Sequence, residues 1–327
     1  MPNLVKNQHY VPQFYLREFA NNKDKLFVYD KCLGRAFQNN VKNVAHESYF
    51  YDIPKEWLQN NDDIQAFEKE FSRIEGIHKK ILKSVLSHHG KGPLDFEAAW
   101  GLAHMLRMQQ IRTRSARNLA HEMHTKFTQN LIDELVERNF GEDGKAYTPT
   151  ATVDERMTAV LICQRILDHT SVHQFISALM ARFWTIWLNR TSTLFITSDH
   201  PVSFAATSYA AENFGVGPCV PFGVEVAFPL SPRCLLAVGD PPPIQRPNCS
   251  TLFADRARVD LFNKMQIYSS HRHLFGGEDD FAFAQKLCTE NPALREQDQN
   301  RVRIASFREP LKTTTMTFVS PRYLKLD

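Results

Sequence analysis

The fold is read from residues 64–85, IQAFEKEFSRIEGIHKKILKSV. Its apolar residues Ile64, Phe67, Phe71, Ile74, Ile77, Ile81 and Val85 recur at intervals of three and four, which places them on one face of an α-helix. A long amphipathic helix is predicted over 62–88, stopped by Gly90-Lys91-Gly92-Pro93. Moving toward the C-terminus, a second helix begins near Leu94. It runs through Trp100, Leu102, Met105 and Met108 to about Asn130, with a break near Ser115. Its early part is apolar on most faces and is expected to be buried. Ile132 to Phe140 continues the helical character, 141–150 is a polar loop, and Asp154 to Leu188 gives two more helical stretches that meet around His169-Thr170-Ser171.

Outside this helical middle the period changes. On the N-terminal side, Lys25 to Tyr29 and Gly34 to Phe37 read as a hairpin turned by Asp30-Lys31-Cys32-Leu33-Gly34. The aromatic run Ser48-Tyr49-Phe50-Tyr51 seals that hairpin onto the next part of the chain. On the C-terminal side, Ser192 to Thr197, Val224 to Phe228, Cys234 to Val238 and a last stretch, Thr313 to Val319, read as strands. Pro241-Pro242-Pro243 marks a surface loop, Val259 to Tyr268 a helix, and Glu278 to Leu287 reads either way. The expectation is one α+β domain over 1–327. It has an N-terminal β-hairpin (25–37), a central helical bundle (about 60–190) and a small, mostly antiparallel sheet from the C-terminal half (about 192–320).

Bulk composition bounds the function classes. With 43% hydrophobic and 23% charged residues, the chain can build a core and is not a disordered polymer. A net charge of +3 does not by itself announce a nucleic-acid or membrane partner. Six scattered cysteines, without a C-x-x-C pair, speak against a zinc site or a disulfide framework and suit reduced thiols. No signal-peptide core and no run of about 20 apolar residues occurs, so a cytoplasmic location and no membrane contact are expected. G-x-G-x-x-G, Walker A and G-x-S-x-G patterns do not occur.

The chemistry-bearing residues lie at a few points. The opening segment Gln8 to Phe19 sets His9 and Tyr10 among Val11, Phe14, Leu16 and Phe19, an apolar anchor for the helical middle. Glu68 and Glu75, seven apart, share a face of the first long helix at the border of its apolar stripe. Gln109, Arg112 and Thr113 come after a nearly unbroken apolar segment, and the Arg112 guanidinium suits a carboxylate or a phosphate. A salt bridge from Arg112 to Glu68 or Glu75 is the simplest partner. At Phe195 to Val202 a strand ends in Ser198-Asp199-His200-Pro201. There Asp199 reads either as a site residue or as the cap of a turn. Arg114 with His121, and Arg117 with His124, match an Arg-x(4–6)-His spacing that resembles helical HEPN-type ribonucleases, although a solvated helix face explains it as well. His88-His89 and His271-x-His273 read as surface histidines, not metal ligands.

Four segments in order resemble a bacterial family, domain of unknown function 4238. They are HYVP with the FYL shortly after it, Gln109-x-x-Arg112-Thr113, FITSD-x-PV at the strand end, and Phe228-Pro229-Leu230-Ser231-Pro232. The resemblance spans roughly His9 to Ser270. It carries onto His9, Tyr10, Pro12, Gln109, Arg112, Ser198, Asp199, Pro201, the segment 229–232 and Asn263. His200 stands where members usually have asparagine, and Arg114 where a proline is common. The family brings no activity. The resemblance implies that His9, Glu68 or Glu75, Arg112 and Asp199 belong to one site.

Three functions are expected as alternatives. The first is a phosphodiester hydrolase, nuclease-like, acting on nucleic acid or another phosphate ligand. In it His9, Tyr10, Arg112 and Asp199 are catalytic, with His9 as general base or metal ligand, and Gln109, Ser198 and His200 bind. Glu68, Glu75 and Asp199 would hold a divalent cation. The second is a non-catalytic binding or sensor module for an anionic ligand or a partner. The third is a buried polar network that fixes the N-terminal segment on the bundle. Oligomeric state is not legible.

Overall fold

A computed structural model describes residues 4–59, 63–87, 94–140, 149–206, 223–240 and 249–297, and the backbone of 302–306, 314–318 and 324–325. The chain runs through β1 (Asn7–His9), α1 (Gln13–Leu16), β2 (Lys25–Asp30), β3 (Arg35–Asn40) and β4 (His46–Ser48) into the helical middle. Next come α2 (Ala66–Ser87), α3 (Phe96–Ile111), α4 (Arg114–Phe140), α5 (Glu155–Leu167) and α6 (His169–Met180). The β-rich part comprises β5 (Phe183–Asn189), β6 (Thr197–Ser198), β7 (Ser203–Ala206), β8 (Val224–Ser231), β9 (Cys234–Gly239) and β10 (Cys249–Ala254). It closes with α7 (Arg256–Ser269), β11 (His273–Gly276), α8 (Ala282–Glu290), β12 (Val302–Ser306), β13 (Thr314–Phe318) and β14 (Leu324–Lys325). The α+β class expected from the periodicity is the class observed.

In α2 the buried positions are Phe71, Ile74, His78, Leu82 and Val85, the three-and-four spacing of one helix face. Ile77, expected in that stripe, is exposed, and its place is taken by His78. The next helix, α3, opens on Asp95, whose carboxylate caps Ala98 N at 2.7 Å. Apart from His104, it is buried all round from Gly101 to Gln110. Gly101 lets it approach α2, because a Cβ there would stand 2.2 Å from Ile81 Cδ1. The helix ends at Arg112, and α4 starts two residues later, so Arg112 and Thr113 form an elbow close to the expected break at Ser115.

The central sheet has six strands in the order β10-β5-β9-β8-β7-β14. Its inner pairs are antiparallel, while β10 pairs with β5 and β14 with β7 in parallel. Alternation divides its residues between two cores. Val226, Phe228, Leu230, Leu236 and Val238 face the helices and the N-terminal segment, where Tyr15, Leu16, Phe19 and Phe175 meet them. On the other face Ala227, Leu235 and Ala237 meet Val259, Phe262 and Met265 of α7.

Three expectations about these elements are corrected. Phe183 to Leu188 was expected to continue a helix but forms β5, a central strand. Its apolar run follows that of α6 with only Arg182 between them, and pairing on both sides with β9 and β10 selects the extended form. Of Ser192 to Thr197, only Thr197 is strand. The preceding backbone is held by Asn263, which accepts from Ile196 N at 3.0 Å and donates to Leu194 O at 2.8 Å. Thr314–Phe318 pairs with Val302–Ser306 and precedes β14, so it is not the last strand. Of the ambiguous stretch at 278–287, the part from Ala282 onward is α8. The loops at Gly90–Pro93 and Pro241–Pro243, His88-His89, most of 141–150, and Cys219 lie outside the described residues. The other five cysteines are free thiols.

The expected hairpin, β2 with β3, does not stand alone. It extends into a four-stranded antiparallel sheet in the order β3-β2-β11-β6. Asp30 Oδ1 accepts from Cys32 N (3.0 Å) and Leu33 N (3.1 Å), and Gly34 takes φ +66°, completing the turn. The Lys31 side chain is fully buried, and its Nζ donates to Ile267 O (3.0 Å) and Ser270 O (2.8 Å). A cation thereby caps the C-terminus of α7.

Candidate functional site

The elbow between α3 and α4 meets the N-terminal segment. Arg112 is 2% exposed, and every face of its guanidinium is occupied. Its Nη1 donates to Glu75 Oε1 (2.8 Å), Nε to the Tyr51 hydroxyl (3.2 Å) and Nη2 to His9 O (2.7 Å). The rings of Tyr51 and Phe71 lie 5.5 and 5.2 Å from its Cζ. The expected Arg112–Glu75 bridge is present, and Tyr51, read from the sequence as core sealing, is a polar partner as well. Burial opposes the guanidinium's charge, but Tyr51 and Glu75 outweigh it and hold its pKa above the ordinary value.

Glu68 lies one face-repeat before Glu75, near the same guanidinium. Burial, with Glu75 and Asp52 on the same side and Arg112 opposing, pushes its carboxyl up to about 7. The N-terminal strand is pinned alongside by amides. The fully buried Gln8 donates to Asp52 Oδ1 (2.5 Å) and accepts from Tyr51 N (2.5 Å), and Gln65 donates to the same Asp52 oxygen at 2.9 Å.

His9 is brought to this centre by its carbonyl. Its ring turns toward β4, where His46 lies directly opposite in the antiparallel register, with ring centroids 5.1 Å apart. Burial and His46 draw the His9 pKa down to about 4, against the Lys42 and Val41 carbonyls. Among the described residues, His9 Nε2, His46 Nδ1 and Gln109 Oε1 are buried without a hydrogen-bond partner.

Asp199 belongs to a second centre. Its Oδ1 accepts from His271 N (2.7 Å), and its Oδ2 from Arg272 N and His273 N (both 2.8 Å). Burial raises its pKa, but His273, His271 and the backbone bond win, so the carboxyl stays ionised below its ordinary range. The expected local turn cap is thereby corrected: the amides that Asp199 holds lie far along the chain, and the nearby His200 N goes to Ser198 Oγ at 3.2 Å instead. His271, expected at the surface, is buried in that corner. Ser198 Oγ donates to Gln266 Oε1 at 2.9 Å, and Gln266 holds Pro201 O at 2.7 Å.

Two residues join the centres. Thr113 Oγ1 lies 2.6 Å from His200 Nδ1. Tyr10 is buried, and burial first, then Asp199 and Glu47, push its hydroxyl above the ordinary range, with Arg114 opposing. Arg114 holds Glu47 Oε1 at 2.6 Å with its own side chain 47% exposed. His46 and Glu47 were not singled out from the sequence. The only local sign is a short polar segment able to pair with Asn7–His9.

The residues expected to hold a cation are not gathered. Glu75 is on Arg112, Asp199 is in the 271–273 corner, and among the described residues no group of three or more His, Cys, Asp or Glu side chains is placed to hold a metal. Of the ribonuclease-like spacing, Arg114 is exposed and paired with Glu47, while the other three residues are engaged with the protein. Arg117 lies over the Phe50 ring and donates to Phe50 O, and His121 and His124 each have Nδ1 3.3 Å from Thr158 Oγ1. A surface depression of about 470 Å³ lined by Asn21, Asn22, Lys23, Lys25 and Gln38 contains none of these residues. No described helix is long and apolar enough to cross a membrane.

No curated protein and no solved structure matches the chain. A family model described as "Protein of unknown function (DUF4238)" matches residues 7–280, which hold both polar centres and the elbow between them. The chain belongs to the DUF4238 family.

Proposed function

We propose that the protein is a binding module for an anionic ligand, seated at Arg114, where its guanidinium meets Glu47 and acts on Tyr10. The observation that carries this reading is the contrast between the two guanidinia of the elbow. Arg112 is enclosed and fully used. Arg114 is half exposed and ion-paired to Glu47. An exposed pair is worth about 1 kcal/mol or less, so an incoming phosphate or carboxylate can replace Glu47 on the fork with two parallel bonds. Arg112 cannot serve a ligand without abandoning its partners, which speaks against its expected catalytic role.

Fluorescence anisotropy with a labelled single-stranded oligonucleotide, competed by pyrophosphate, tests this. Binding weakened about tenfold or more in Arg114→Ala, with stability changed by less than about 0.5 kcal/mol, is the expected result. Equal affinity in both proteins overturns it.

A phosphodiester hydrolase remains the second reading. One observation favours it: burial pushes Glu68 up to about 7 beside the Arg112 cation, where a carboxyl can give or take a proton near neutral pH, and leaves His9, drawn down to about 4, as a neutral imidazole close by. Product from RNA or DNA that disappears in His9→Ala or Glu68→Gln, with or without added divalent cation, would select it over simple binding.

A further inference from the structure

We infer that His9 and His46 form a two-histidine site for a divalent transition-metal ion of the zinc class, independent of the anion site proposed above. The first support is placement. The two residues are direct partners in the antiparallel pair of β1 and β4, so their side chains leave the ribbon on the same face. The second is separation. Two imidazoles sharing one tetrahedral ion at about 2.0–2.1 Å per bond stand with centroids about 5 Å apart, and these stand 5.1 Å apart.

The third support is chemical. His9 Nε2 and His46 Nδ1 are both buried without a hydrogen bond of good geometry among the described residues, the Lys42 and Val41 carbonyls standing near the His9 ring only as weak acceptors. Buried ring nitrogens are ordinarily satisfied, and a soft-to-borderline cation satisfies two at once. The backbone points the same way. Ala45 and Tyr49, the residues on either side of β4, adopt φ +51° and +56°. Left-handed backbone at two non-glycine residues costs free energy, and such strain concentrates at sites of function. Here it holds the three-residue strand that carries His46 opposite His9.

The surroundings tell which tautomer the ion needs. Gln13 Oε1 accepts from Arg17 Nη2 at 2.9 Å. Its Nε2 therefore faces His9 Nδ1, at 3.5 Å, and the proton of the neutral ring rests on Nε2. Binding through Nε2 moves that proton to Nδ1 and turns the Gln13 amide so that its oxygen accepts. A carboxylate at position 13 would accept from Nδ1–H without turning, the usual support of a metal-bound histidine. Among the described residues no third protein ligand is grouped with the pair, so water completes the coordination.

The test is calorimetric titration of the full, metal-stripped chain with Zn²⁺, comparing wild type, His46→Ala and Gln13→Glu, with thermal midpoints recorded alongside. One equivalent bound by wild type and weakened about 10–100-fold or more in His46→Ala, with tighter binding in Gln13→Glu, supports the site. Identical titrations of wild type and His46→Ala overturn it and leave the two nitrogens bridged by water. If His46→Ala does not fold, Gln13→Glu decides alone: affinity no higher than wild type overturns the proposal.

Discussion

Arg112 and Asp199 are both buried charges at motif positions, and the fold satisfies them in opposite ways. Side chains and one carbonyl surround Arg112: Glu75, the Tyr51 hydroxyl and His9 O. Backbone surrounds Asp199: three successive amides of 271–273. A side-chain shell can rearrange by rotamer changes. A shell of consecutive amides is fixed by the path of the chain, so its carboxylate cannot be lent to a ligand or a metal while that corner remains folded. The Asp199 centre is held by backbone, whereas the elbow beside Arg112 is held by side chains, with Glu68 near it pushed up to about 7.

Mutation separates the two shells, and the largest effect is expected at Asp199. Asp199→Ala leaves three amides in a buried corner unsatisfied and removes charge-assisted bonds, a loss of about 3–5 kcal/mol read by urea unfolding. A loss below about 1 kcal/mol would mean that water replaces the carboxylate and the corner is looser than its geometry. Glu75→Gln keeps an acceptor for Arg112 but removes the countercharge. It should cost about 1–3 kcal/mol and leave the 271–273 corner as protected from amide exchange as before. Equal loss of protection in both places would merge the two centres into one unit.

The smallest effect has the opposite sign. Glu68 ionises near 7 in the fold and near its ordinary 4.5 when unfolded. Between those values the folded protein holds the extra proton, so Glu68 makes stability fall as pH rises from about 4.5 to 7. His9, drawn from 6.5 down to about 4, acts the other way, its contribution being lost as pH falls through that window. Glu68→Gln removes one of the two. The variant should be more stable than wild type by about 1–2 kcal/mol at pH 8, after allowance for partial exposure, and equal to it below about pH 4.5. A constant difference across pH would show that Glu68 does not titrate in this range.

Legibility in the sequence tracks locality. The α2 stripe, the β2–β3 hairpin, β8, β9 and α7 announce themselves by period, because each pattern is written within one element. β5 does not, since Phe183 to Leu188 is apolar without alternation and its state is set by neighbours from other parts of the chain. The same divide runs through the site. The helix faces give Arg112 a carboxylate partner in Glu68 or Glu75, and the fold selects Glu75. The amides that Asp199 caps, 72 to 74 residues away, leave no trace around Ser198-Asp199-His200-Pro201, which reads as an ordinary local turn. His46 and Glu47 gain meaning only from the register that places β4 against β1.

The buried Lys31 carries a consequence for synthesis of the chain. Its Nζ meets Ile267 O, 236 residues later, and β2 beside it takes β11 as its second neighbour. At about 5–20 residues per second on the ribosome, the hairpin waits on the order of 10–50 s before its acceptors exist. Throughout that interval β2 is an open edge, and a lysine at such an edge discourages pairing with other nascent chains. Lys31 is thus a guard while translation lasts and a cap once it ends, and the N-terminal hairpin is among the last parts of the molecule to lock.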